Sequence, residues 1–327
     1  MRIGFVVNQM PKELAVYTTT GLALKASQMG HEVYFIGIGD FTYTQDELMG
    51  AHARNVPNQA FNSAVDFLDT MKKADKKLIT ARDLDVLMLR NDPSVDFENR
   101  PWAQNAGIVF GQLAKSQGVI VLNDPDSLAN ALNKMYFQYF PKSVRPETII
   151  TRNIDDIKAF YKEYNQKVIL KPLQGSGGKN VFLVNEDQKN LNQIVDAIAR
   201  DGFVVAQEYL TDAENGDVRL FLIDGEPIVV NGKTAGIHRV QAANDIRSNV
   251  HQGGSVKVPE FTKRMFELVE EVKPKLKKDG MFLTGLDIVG DKLMEINVFS
   301  PGGIGNAGQL QGVDFFEPVI KAMEAKL

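Results

Sequence analysis

Over the first third of the chain, short apolar runs alternate with stretches whose apolar residues recur at helical spacing. Residues 3–7, 32–36, 86–89 and 119–122 read as strands, and residues 20–29 and 108–116 as amphipathic helices. This alternation predicts an N-terminal α/β unit over 1–122, with a parallel sheet covered by helices. Ligands of such sheets lie beyond the carboxyl ends of the strands. Two ends stand out, Asn8 with Gln9, and Arg90, Asn91, Asp92 and Pro93. An arginine there could grip a substrate carboxylate as a bidentate pair, or it could pair with Asp92 or Asp96.

The pattern then changes. Residues 123–127 carry turn chemistry and mark a boundary, and a helix over 128–140 carries Lys134. A strand at 148–151, a helix at 154–164, a hairpin at 168–184 and a helix at 191–199 make a small α+β unit over 123–203, of a size suited to a lid. Its hairpin places Lys171 and Pro172 before Gly175, Ser176, Gly177 and Gly178. Glycines let a backbone approach a polyphosphate closely and a lysine balances its charge, although an ordinary hairpin with a flexible tip has the same composition.

A third unit follows over 204–327. Residues 204–210 read as a strand running into a connection, and 217–225 as a strand on which Asp217 and Arg219 alternate with Leu220 and Leu222. That polar face is either functional or merely exposed. Residues 231–256 combine arginines, amides and glycines without sustained periodicity, the signature of a functional loop or of a mobile insertion. Arg239 and Arg247 on such a loop could meet phosphate charge. After an amphipathic helix over 261–278 comes a hairpin over 284–298. A three-residue loop at 290–292 sets Asp287 opposite Glu295 with Asn297 on the same face, and Leu286, Ile288, Met294, Ile296 and Val298 on the other. Two carboxylates and an amide side by side suit magnesium at a nucleotide site, the alternative being a solvated polar face.

Composition narrows the classes. With 37 basic and 41 acidic residues the chain carries a net charge of -4, which argues against a dedicated nucleic-acid partner. There is no cysteine, so disulfides, thiolate metal sites and a cysteine nucleophile are excluded. The four histidines, His31, His52, His238 and His251, lack zinc-ligand spacing. The N-terminal apolar run is too short for a signal peptide and no stretch reaches the length of a membrane span, so a cytoplasmic protein is expected.

Lys134, the Lys171 hairpin, residues 207–210, the arginine-bearing loop and the set Asp287, Glu295, Asn297 follow one another in an order that resembles the ATP-grasp superfamily. Within it the chain looks like the bacterial glutathione synthetases, and the residues at 89–93, 123–134, 146–148, 169–178, 217–219 and 285–298 carry the resemblance. It implies an ATP-grasp fold with an N-terminal parallel-sheet domain, a central lid and a C-terminal catalytic domain. By that resemblance Lys134 and Lys171 contact ATP phosphates under the 175–178 loop. Gln207, Glu208, Tyr209 and Leu210 hold the adenine, with Glu208 or Asp217 near the ribose. Asp287, Glu295 and Asn297 bind two Mg2+ ions, and Arg219, Arg239, Arg247 and Asn249 stabilise the transferring phosphoryl group. Arg90, Asn91, Asp92, Ser300, Gly302 and Gly303 lie by the peptide or amino-acid substrate. The expected activity joins γ-glutamylcysteine to glycine through an acyl phosphate. A related ligase with a different acid and amine is the alternative, and a silent ATP-binding module a remoter one. Two departures from the family pattern, Asn91 in place of a lysine and the glycine-rich 300–306 segment, remove charge and bulk near the peptide site. The resemblance also implies a homo-oligomer, dimer or tetramer.

Overall fold

The computed structural model describes residues 1–56, 59–175, 178–186, 190–240 and 255–327. Its first sheet contains β1 (Arg2–Val7), β2 (Glu32–Gly37), β3 (Phe41–Tyr43), β4 (Met49–Asn55), β5 (Lys76–Thr80), β6 (Val86–Leu89) and β7 (Ile120–Leu122), in the order β3-β4-β2-β1-β6-β7 with β5 also on β4. The run β2-β1-β6-β7 is parallel, as the alternation predicts. The β3-β4-β5 extension is antiparallel and was not foreseen, because its strands carry charges and no clean period of two. Helices α1 (Thr18–Gln28), α2 (Ala64–Lys73) and α3 (Ala106–Ser116) connect these strands.

Past β7, Asp124 caps α4 (Pro125–Asn130) by accepting from the amides of Asp126 and Ser127. The expected helix over 128–140 is interrupted. Lys134 lies in a turn between α4 and the 3-10 helix Tyr136–Tyr139, and its amide donates to Leu173 O at 3.0 Å.

The central sheet is antiparallel throughout, ordered β10-β9-β11-β8 from β8 (Thr148–Thr151), β9 (Val168–Pro172), β10 (Phe182–Val184) and β11 (Val204–Glu208). The boundary expected at 203/204 therefore moves beyond Glu208, since β11 pairs with both β8 and β9. With α5 (Ile154–Glu163) and α6 (Leu191–Ala199), this sheet encloses a core of its own around Ile157, Leu170, Ile198 and Val204.

The third sheet runs β14-β13-β12-β15-β16, from β12 (Asp217–Ile223), β13 (Gly236–Val240), β14 (Ser255–Lys257), β15 (Leu283–Val289) and β16 (Lys292–Asn297), with the short strand Glu226–Pro227 on β12. Helix α7 (Lys263–Lys278) packs its apolar stripe of Met265, Leu268, Val272 and Leu276 into a core shared with the N-terminal sheet. Two further helices, α8 (Ile304–Gln311) and α9 (Phe316–Glu324), close against α1. The first and third sheets thus share cores, while the central unit has a separate one.

Asn123 fastens the shared part. Buried to 4% exposure, it donates to Leu283 O and Val298 O and accepts from Leu283 N at 2.8 Å, tying together the base of the β15–β16 hairpin. Asn123→Ala strands one amide and two carbonyls in a dry interface, and a loss of about 3 kcal/mol or more is expected in denaturant unfolding. An unfolding midpoint equal to that of the parent would refute the clamp.

Candidate active site

Lys134 and Lys171 approach one cleft from different elements, beside Gly175, Gln207, Met294, Glu295, Asn297 and Ser300. The Lys134 ammonium donates to Gly175 O at 2.6 Å and that of Lys171 to Gln207 Oε1 at 2.9 Å. Burial lowers the Lys134 pKa against the opposing charges of Glu295 and Asp92. Burial, together with the charge of Lys134, brings Lys171 down to about 8, with Glu295 opposing. Two ammonium groups held together with too little counter-charge form a site for an anion, because a bound polyanion relieves both the desolvation and the mutual repulsion. Of the glycine loop, Gly175 (φ 121) and Gly178 (φ 74) use backbone conformations that glycine favours, whereas Ser176 and Gly177 lie outside the described residues.

On the other wall, Asp287 faces Glu295 across β15 and β16, and Gly285 faces Asn297. The expected pairing is present, but its cause differs. The turn is two residues long, with Val289 opposite Lys292 and Gly290 at φ 57, and a bulge at Met294 restores the register. Leu293 consequently takes the fully buried place among Leu286, Ile288 and Ile296, and Met294 joins the cleft instead of the apolar face.

Asp287 is 1% exposed and is surrounded by arginines. Arg219, its register partner across β12 and β15, donates from Nε and Nη2 to the two carboxylate oxygens at 2.7 Å each. Arg239 Nη2 reaches Asp287 Oδ2 at 2.8 Å, and its Nε donates to Asp217 Oδ2 at 3.0 Å. Burial works against the charged carboxylate, yet the charges and hydrogen bonds of Arg219 and Arg239 hold Asp287 well below the usual range. Arg239 itself titrates above an ordinary guanidinium; burial opposes this and the carboxylates of Asp287 and Asp217 outweigh it. Arg239 therefore lies on β13 and not on a loop, and Asp217, at 2% exposure, is turned onto Arg239. The polar face of β12 is real but buried. Arg247 and Asn249 lie outside the described residues.

The donor set suits a hard divalent cation. Asp287 and Glu295 carry opposed carboxylates, and Asn297 donates from Nδ2 to Asp287 Oδ2 at 3.2 Å, which leaves its amide oxygen as the donor for a cation. Among the described residues there is no cluster of three His, Cys, Asp or Glu side chains.

At the ends of β1 and β6, Asn8 exchanges hydrogen bonds with the Asp92 backbone at 2.8 Å, and Asp92 caps the short turn Pro93–Asp96 at the mouth of the cleft. Asp96 pairs with Arg100. Arg90 is engaged by partners within the chain. It is 4% exposed and donates to Thr19 Oγ1 at 3.2 Å and to Pro301 O at 3.0 Å. Burial lowers it to about 10 against the charge of Glu13, whose own carboxyl burial raises to about 7 against Arg90 and Lys72. Asn91 is also buried, under Gly107 of α3. Thr18 accepts from Gly303 N at 3.1 Å and Arg219 donates to Gly302 O at 3.3 Å, so the 301–303 turn is gripped from both sides. A Cβ on Gly302 would meet no atom within 4 Å, whereas one on Gly303 would strike Ile237.

Glu208 accepts from Glu147 N at 3.0 Å, Tyr209 lies under the Lys167 ammonium at 4.2 Å, and Leu210 leads into the 3-10 helix Thr211–Asn215. Glu13, Thr18 and Thr19 carry no signal in the sequence, since each acts through partners distant along the chain, and Met294 reads there as part of the apolar face.

A glycine hairpin and paired lysines facing a carboxylate–amide wall, on three sheets in this order, define an ATP-grasp ligase. A family described as prokaryotic glutathione synthetase, ATP-grasp domain, matches residues 133–312, and its companion, prokaryotic glutathione synthetase, N-terminal domain, matches residues 1–129. The chain belongs to the prokaryotic glutathione synthetase family. It is 32% identical over 315 residues to a glutathione synthetase of Brucella melitensis, covering 94% of this chain and 93% of that one. It is 30% identical over 330 residues to that of Escherichia coli K12, covering 100% and 99%. The structure of D-cycloserine synthetase DcsG superposes with a TM-score of 0.62 at 13% identity, covering 98% of this chain and 99% of that one, a likeness of fold. The chain is thus an ATP- and Mg2+-using enzyme that forms C–N bonds. Among the described residues no helix is long and apolar enough to cross a membrane.

Proposed function

We propose that this ligase makes glutathione from γ-glutamylcysteine, glycine and ATP. The observation that carries the reading is the pair of under-compensated lysines, Lys134 and Lys171, facing Glu295 and Asn297 across one cleft. A carboxylate is a poor electrophile because its oxygen does not leave. Its attack on the γ-phosphorus breaks the bond to ADP and makes an acyl phosphate. The glycine amine then adds to that carbonyl, and phosphate departs with the C–O electrons. Lys134 and Lys171 bind and orient the nucleotide phosphates, and Arg219 and Arg239 stand beside the wall where phosphoryl charge develops, so positioning and charge supply the rate. Asp287, Glu295 and Asn297 would hold two magnesium ions, which when bound neutralise phosphate charge. Glu208 and the backbone of 207–210 would receive the nucleoside.

The separate core of the central unit supports its movement as a lid against the remaining two units, excluding water from the acyl phosphate. The gripped 301–303 turn supports a substrate site beside Arg219, with Arg90 holding the turn. A cytoplasmic homo-oligomer completes the reading, as its lack of cysteine and its family suggest.

Glu295→Gln tests the carboxylate wall. It keeps shape and removes charge, and turnover is expected to fall by at least about 10²-fold with the fold retained. Unchanged turnover would remove Glu295 from the metal set.

A further inference from the structure

Lys171 is held by a polar relay that leads away from the cleft. Its ammonium donates to Gln207 Oε1 at 2.9 Å, Gln207 Nε2 donates to Thr148 Oγ1 at 3.1 Å, and the Thr148 hydroxyl donates to Pro146 O at 2.9 Å. The sheet dictates this row. Thr148 and Gln207 are register partners between β8 and β11, and Lys171 pairs with Val205, two residues from Gln207, so all three side chains share one face.

The relay has a direction. A hydroxyl has one proton, and Thr148 commits it to Pro146 O, so toward Gln207 it can only accept. The amide must therefore turn its NH2 to Thr148 and its oxygen to Lys171. Gln207 is 3% exposed, so its amide is held chiefly by these two partners. The acceptor presented to Lys171 is also neutral. Among the described residues it engages one of the three N–H groups and, being neutral, does not cancel the positive charge; a carboxylate in its place would hold the lysine but cancel it.

We infer that Thr148 and Gln207 are positioning residues that fix the Lys171 ammonium for a nucleotide phosphate while preserving its charge. This rests on the reading of the cleft as the ATP site. Gln207 accordingly contributes through its side chain as well as through the backbone position expected at the nucleoside.

Thr148→Val removes the acceptor for the amide NH2, so that Gln207 loses one of the two bonds that hold its oxygen toward the ammonium. The dissociation constant for Mg-ATP, measured by equilibrium binding, is expected to rise about tenfold or more, and KM for ATP with it, while kcat at saturating ATP changes by less than about threefold. Thr148→Ser is expected to restore binding. A role confined to strand stability would order the variants the other way, since valine favours a strand more than serine does. Gln207→Glu, nearly isosteric, keeps an acceptor for Lys171 but neutralises it, and is expected to weaken Mg-ATP by a similar factor; it carries the test alone if Thr148→Val fails to fold. Parental affinity in Gln207→Glu, or in a folded Thr148→Val, would overturn the relay. Parent protein that does not bind Mg-ATP would overturn the ATP reading and the relay together, which separates the two failures.

Discussion

Lys171→Met is expected to lower ATP-dependent phosphate release by about 10²- to 10³-fold, because it deletes a preorganised positive charge from the floor of the cleft. The loss should appear in nucleotide binding as well as turnover, and the protein should remain folded, since methionine fills the space of the lysine stem and the buried charge it replaces is itself costly. The parent protein offers a matching signature. Lys171 titrates near 8 in the free protein, lowered by burial and by Lys134 and opposed by Glu295. Only its protonated form attracts phosphate, so affinity for Mg-ATP is full below about pH 7 and falls as the pH rises through 8, up to the higher pKa that the bound anion imposes. A binding profile flat from pH 7 to 9.5 would show that Lys171 does not face the phosphates.

Asp287→Asn is expected to have the second large effect, on stability and turnover together. The Asp287 carboxylate receives both Arg219 nitrogens and one from Arg239 inside the third sheet. An asparagine leaves two guanidiniums crowded with one remaining carboxylate, Asp217, for the pair. Breaking a buried ion network from one side costs about 3–5 kcal/mol. Turnover should be lost as well, since the variant misplaces Arg219 and removes a carboxylate proposed to hold a cation. A variant as stable as the parent in urea unfolding would mean that the arginines find other partners, and the buried cluster would not be the scaffold of this wall.

The cluster also marks where sequence reading reaches its limit. The alternation along β12 correctly set Asp217 and Arg219 on one face, but a period of two does not say whether that face meets water or another strand. Here it meets β13 and β15, and the polar face is buried. The strand that carries Arg239 is illegible for the same reason, because its glycine- and polar-rich surroundings lack strand periodicity until β12 supplies the register. In the β15–β16 hairpin the facing of Asp287 and Glu295 was legible, since only one parity separates polar from apolar residues. The route to it was not: a two-residue turn with a bulge at Met294 gives the same parity as a three-residue loop. Only the burial of Leu293 and the exposure of Met294 to the cleft distinguish them.

The N-terminal unit shows a similar division. Its four parallel strands followed from short apolar runs, whereas β4 and β5, with His52, Arg54, Lys76 and Lys77 among their residues, gave no such signal. Lys134 was recognised, but in a helix that the chain breaks, because Leu128, Ala131, Leu132 and Met135 keep helical spacing through a turn. Arg90 was noticed as a strand-end arginine. Its partners, Thr19 and Pro301 O, lie 71 and 211 residues away and carry no local signature.

The most direct test of the central claim is Mg2+-dependent phosphate release from ATP with γ-glutamylcysteine and glycine together and with each omitted in turn, the product being identified by mass. The predicted result is release that requires both substrates and yields glutathione in step with ADP. Release with other acid and amine pairs, and none with this one, would contradict the claim and point to the glycine-rich 300–306 segment as the origin of the difference.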